Sequence, residues 1–152
     1  MKLSRLLLLL LLLLGPGAMA GAAEPSLHVE AAWARATPGA STVGVVYLTI
    51  VNAGASADRL VALSSPVAER AEMHINIQDG NVMQMRPVSA VDLKPGDRVI
   101  FKPTGLHIML VDLHRPLKKG EHVPVMLTFE KAGTIETEAV ILPVGAQSYS
   151  PQ

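Results

Sequence analysis

Short apolar runs alternate with turn residues at a spacing of roughly ten along most of the chain, and that rhythm leaves room for little but an all-β sandwich or barrel. Nine runs qualify: Leu27 to Ala34, Gly44 to Asn52, Arg59 to Ser64, Glu72 to Gln78, Asn81 to Val88, Arg98 to Lys102, His107 to Leu113, Val123 to Glu130 and Thr134 to Leu142. None carries the 3.6-residue period of an amphipathic helix. Ala53-Gly54-Ala55-Ser56, Lys94-Pro95-Gly96-Asp97, Lys118-Lys119-Gly120 and Lys131-Ala132-Gly133 supply turns, through glycine's access to positive φ and proline's fixed φ. The alternation is clearest near the end, where Val125, Leu127 and Phe129 interleave with Met126, Thr128 and Glu130. That is a strand with one wet face. Its hairpin partner sets Ile135, Thr137, Ala139 and Ile141 against Glu136 and Glu138.

The first residues stand outside this rhythm. Lys2 and Arg5, nine leucines from Leu6 to Leu14, and Ala18-Met19-Ala20 read as a secretory signal peptide over residues 1–20, with cleavage after Ala20 or as late as Ala23. The leucine run is too short to span a bilayer, so no stable membrane insertion is expected once it is removed. Taking 20 from 152 residues leaves 132, enough for one domain with a real core and too few for two. A single domain over 21–145 is expected, with a loose tail over 146–152.

Charge and cysteine content exclude whole classes of function. Of 13 basic residues, Lys2 and Arg5 leave with the leader, so 11 face 13 acidic ones, a net of about −2. No footprint for nucleic acid or an anionic membrane follows from that balance. The chain has no cysteine. It must be held by its core, and thiolate nucleophiles, zinc–cysteine clusters and the thiolate of a blue-copper centre are all absent. Neither expected mature N-terminus, Gly21 or Glu24, is the histidine that an amino-terminal copper brace requires, and no Ser-His-Asp arrangement is evident. An enzyme is not expected.

What remains unusual is MHINIQDGNVMQM, residues 73 to 85. Asp79-Gly80 reads as a two-residue hairpin loop, which pairs Gln78 with Asn81 and, counting outward, His74 with Met85. Direct neighbours of that kind have Cβ atoms roughly 4.5 to 5.5 Å apart. Met73, Ile75 and Ile77 make the apolar face of the first strand, so His74 points to the other. A second imidazole–thioether pair, His107 and Met109, lies at i and i+2 on one strand face. If that strand runs beside the hairpin, His74, Met85, His107 and Met109 converge. Two thioethers and two imidazoles, with no thiolate and no carboxylate, suit Cu(I) better than zinc, calcium or magnesium. Such a site loses affinity in acid through its histidines, since thioethers do not titrate.

The competing reading is an exported structural or adhesion-type sandwich in which the methionines pack and the histidines are incidental. Joint placement favours the metal. Four of the five methionines left after the leader fall within 37 residues that also hold His74 and His107. Met73 and Met83 read as packing residues, Met83 being a candidate auxiliary ligand. Trp33 reads as core or loop packing, His28, His114 and His122 as solvated side chains. Arg59, Glu69, Arg70 and Glu72 read as ordinary solvated charges.

His74, ten residues, Met85, twenty-one residues, then His107-Ile108-Met109 reproduces every spacing of the H-x10-M-x21-H-x-M motif, and here the chain resembles the periplasmic copper chaperones called the PCu(A)C family. The resemblance extends to Ala32-Trp33-Ala34-Arg35-Ala36-Thr37-Pro38-Gly39, Tyr47 to Asn52 and Gly80 to Val88. It implies a cupredoxin-like, Greek-key β-sandwich of about seven to nine short strands, in the periplasm, expected to be a monomer. It implies one Cu(I), passed to copper-receiving proteins such as cytochrome c oxidase subunit II or Sco-type proteins. Two departures stand out: Ile75 replaces a common glutamate, and the loop before His107 carries one glycine, Gly105, where two are frequent.

Overall fold

Residues 26–150 are described by the computed structural model; the expected signal peptide lies outside them. Ten strands follow in order: β1 (Leu27–Arg35), β2 (Val43–Asn52), β3 (Asp58–Ser64), β4 (Ala68–Asp79), β5 (Val82–Val88), β6 (Val91–Leu93), β7 (Arg98–Ile100), β8 (Leu106–Leu113), β9 (His122–Phe129) and β10 (Gly133–Leu142). The all-β expectation holds. All nine apolar runs became strands, and the tenth, β6, is three residues long and too short to show a period. β4 begins four residues before the expected Glu72, because Ala68 to Ala71 lacks the β-branched composition that marks a strand.

One hydrogen-bonded path, β5-β4-β8-β2-β1-β10-β9-β3-β6, links the strands, and β7 pairs with β2. Among the described residues only β1 and β10 pair in parallel. Inward side chains from the whole path, among them Val46 and Ile50 of β2, Ile108 and Leu110 of β8, Val125 and Leu127 of β9 and Ile141 of β10, meet in one core. The alternation read at the C-terminal hairpin is realised: Val123, Val125, Leu127 and Phe129 are buried, and the residues between them are not.

The β4–β5 register corrects the sequence reading. Asp79 pairs with Val82, so the loop is Gly80-Asn81, and His74 lies opposite Pro87 while Met85 lies opposite Asn76. Gly80, at φ 61, occupies the first central position, as a type II′ turn requires. Moving the loop by one residue shifts each pairing by two positions, which keeps every side chain on its expected face.

A bulge in β1 matters for the outer face. Glu30 pairs with Thr49 and Trp33 with Tyr47, leaving Ala31 and Ala32 against one residue, and Ala31 has φ 49. Under unbroken alternation Trp33 would share the face of Leu27 and Val29. Instead it packs with Tyr47 and Leu142 in a second, smaller cluster, its ring 4.5 Å from that of Tyr47.

Candidate metal centre

β4 and β8 run antiparallel with His74 directly opposite His107 and Glu72 opposite Met109. Partners in such a pair project to the same face, and so do residues two apart on one strand. His74, Asn76, Met85, His107 and Met109 therefore share the outer face of β5, β4 and β8. Ile108, between the two β8 positions, points into the core and is fully buried.

His107 is the deepest of the four predicted ligands at 6% exposed. Its Nδ1 is 2.9 Å from the Gly105 carbonyl oxygen, which can only accept, so Nδ1 carries the proton and donates. The same carbonyl also accepts from the Asn76 backbone N–H at 3.3 Å. Nε2 is left with a lone pair. It faces the Met85 sulfur at 3.3 Å, so two electron-pair donors confront each other. An ion bonded at about 2.0 Å to nitrogen and 2.3 Å to sulfur in tetrahedral geometry would hold those atoms about 3.5 Å apart. The pair is already spaced for one.

The His74 and His107 rings lie 6.1 Å apart, tilted by 31°. The His74 side chain is 14% exposed, and its Nδ1 is buried without a hydrogen-bond partner. Met109 is half-buried, one pleat along from His107 and opposite Val45 of β2. Met85, on the edge strand, is 52% exposed. Exposure thus grades from imidazole to thioether, and the approach to the face is shallow. Met73 is buried in the core, and Met83 stands on the Met85 face, exposed.

Glu72 keeps the solvated position expected of it, 39% exposed, and also borders the ligand face. Its Oε2 lies 3.6 Å from His74 Nε2. Two residues from His74 on the same strand, it shares the ligand face, and the period of two was the signal available for it. Among the described residues no group of three or more His, Cys, Asp or Glu side chains converges as a metal site; the donors gathered here are mixed nitrogen and sulfur.

Beside His107 opens a cleft of about 380 Å³ whose walls include Arg35, Tyr47, Asn76, Thr104 and Gln147. Arg35 donates from Nε to the Ala146 carbonyl at 2.7 Å and from its terminal nitrogen to Gln147 Oε1 at 3.1 Å. Its guanidinium carbon sits 5.5 Å from the Tyr47 ring centre. The start of the expected loose tail is thereby held over the outer cluster. Burial pushes the Tyr47 phenol above its ordinary pKa, and the Arg35 charge opposes that in part.

The fold is similar to that of β domains that bind copper in other proteins. The copper-bound PCuAC domain from PmoF2 superposes with a TM-score of 0.66 at 28% identity, over 78% of this chain and 94% of that one. The Cu(I) form of DR1885 from Deinococcus radiodurans superposes with a TM-score of 0.60 at 25% identity, over 87% of this chain and 85% of that one. The uncharacterized protein RP573 of Rickettsia prowazekii (strain Madrid E) is 32% identical over 112 residues, which is 71% of this chain but only 62% of that relative's length. The family model described as Putative lipoprotein LpqE-like matches residues 27–141, and the chain belongs to that family, the PCuAC family, with its cupredoxin-like β fold.

Proposed function

We propose that the protein is a periplasmic copper chaperone that holds one Cu(I) through His74, Met85, His107 and Met109 and hands it to copper-receiving proteins. The observation that carries this is the 3.3 Å approach of His107 Nε2 to the Met85 sulfur, with the opposite ring nitrogen bonded to a carbonyl. Neutral thioether and imidazole donors match the soft, monovalent ion. Support also comes from the copper bound in the similar PmoF2 and DR1885 structures. No helix among the described residues is long and apolar enough to cross a membrane, and the leader directs export.

Transfer needs access, and the most exposed ligand is the natural first contact for an acceptor. Met85 can release its sulfur and be replaced while His107 still holds the ion. The copper centres of cytochrome c oxidase, reached through subunit II or Sco-type proteins, are the destination the family resemblance implies. The alternative, a structural sandwich with packing methionines, is disfavoured by Met85 and Met83, which are 52% and 54% exposed and fill no core.

Anaerobic titration with Cu(I) against a competing chelator tests the reading. One ion per chain should bind tightly, and Met85→Ala combined with Met109→Ala should lower affinity at least tenfold. Binding indifferent to both substitutions would remove the proposal.

A further inference from the structure

Each histidine offers an ion only one of its two ring nitrogens, and the surroundings decide which. For His107 the Gly105 carbonyl accepts a hydrogen bond from Nδ1–H and leaves Nε2 free. His74 is set the other way round. Its Nε2 faces the Glu72 carboxylate, whereas its buried Nδ1 touches no hydrogen-bonding group. A proton on Nδ1 would leave a buried donor unsatisfied and turn the Nε2 lone pair toward an anion, and both are unfavourable. A proton on Nε2 removes the repulsion from the carboxylate and leaves Nδ1 as a bare acceptor, not a bare donor. Nδ1 then becomes an electron-pair donor that a cation would complete.

We infer that His74 holds copper through Nδ1 and His107 through Nε2, and that Glu72 is the positioning residue that imposes the His74 choice by accepting its Nε2 proton. This rests on the copper reading above. The carboxylate is itself steered: its Oε1 lies 3.7 Å from an Arg70 nitrogen, and the other terminal nitrogen of Arg70 lies 3.3 Å from Asp112 Oδ2. Arg70, Glu72 and His74 fall two residues apart on β4, so the strand's period lines them along one face. With Arg70 beside one oxygen, the other is left to the imidazole. The 3.6 Å separation exceeds a hydrogen bond, and closing it takes a movement of about 0.7 Å. A side chain that is 39% exposed has that freedom.

Long-range 1H–15N NMR spectra read which ring nitrogen carries the proton and which meets the metal. They should be recorded on the metal-free protein and after anaerobic loading with Cu(I), for wild type, Glu72→Ala and Glu72→Gln. In metal-free wild type, neutral His74 should be protonated at Nε2, and Cu(I) should perturb His74 Nδ1 and His107 Nε2. Glu72→Ala should mix the His74 tautomers and weaken Cu(I) binding about tenfold, toward the lower end of the loss typical for such partners. Glu72→Gln, whose amide oxygen still accepts, should restore the Nε2-protonated form. Copper on His74 Nε2, or a Glu72→Ala variant with tautomer and affinity unchanged, overturns the nitrogen assignment and leaves the copper reading standing. A wild-type protein that takes up no Cu(I) overturns the copper reading and takes this inference with it.

Discussion

Thr104 is a strained residue in the loop that leads into the strand of His107 and Met109. It lies two residues before Leu106 starts β8, in the loop where the family resemblance leads one to expect a second glycine, and it has φ 66. A β-branched side chain in the left-handed region costs of order 1 kcal/mol or more, a cost glycine avoids. Thr104 is exposed, and its hydroxyl bonds only the carbonyl of Pro103. Thr104→Gly should therefore raise stability by about 1 kcal/mol, the strain relieved exceeding the added freedom of the unfolded chain. Chemical denaturation measures it, and a lowered midpoint would show that the loop is not strained. The same backbone presents the Gly105 carbonyl to His107, so strain and ligand orientation share a loop.

Between strands, the side chain of Asp58 ties the start of β3 to the β9–β10 turn. Its Oδ1 accepts from the backbone N–H groups of Arg59 at 2.7 Å and Lys131 at 3.0 Å, and its Oδ2 from that of Ala132 at 2.9 Å. Burial works to raise the Asp58 pKa, but the donors of Lys131, Arg59 and Ala132 and the Lys131 charge outweigh it, and the carboxyl lies below its ordinary value. A depressed carboxyl contributes stability that is complete above the unfolded-state pKa, near 4, and is lost as pH falls through the lowered folded value. Asp58→Asn should thus be less stable than wild type at neutral pH, with the gap closing in acid. Thermal melts across that range check it; a gap that widens in acid would contradict the sign. The β4–β5 hairpin has no comparable tie at its tip. It reaches past the last β4–β8 pair, Ile75 with Leu106, and beyond the Asn76 N–H bond to the Gly105 carbonyl its two strands pair with each other.

Across the molecule, the core and the proposed site occupy opposite faces of the same strands. Ile108 is fully buried between His107 and Met109 in sequence, and Met85 is half-exposed. Ile108→Ala should cost about 2 to 5 kcal/mol of stability through the cavity it leaves. Met85→Ala should change stability by less than about 1 kcal/mol while weakening Cu(I) binding. Denaturation and metal titration on the two variants separate scaffold from site, and a large loss of stability in Met85→Ala would mean that its sulfur packs.

Strand existence and facing were legible in the residues because alternation is a local property: neighbouring side chains on an extended backbone must point to opposite sides. That is why Met73 could be placed in the core and His74 outside it, and why both assignments survived a turn that formed at Gly80-Asn81 instead of Asp79-Gly80. Which residues stand opposite one another is not local. The pairing of His74 with His107 and the bulge that turns Trp33 outward depend on separate strands settling into one register. Packing of the buried faces selects that register, and no stretch of the chain read alone contains it.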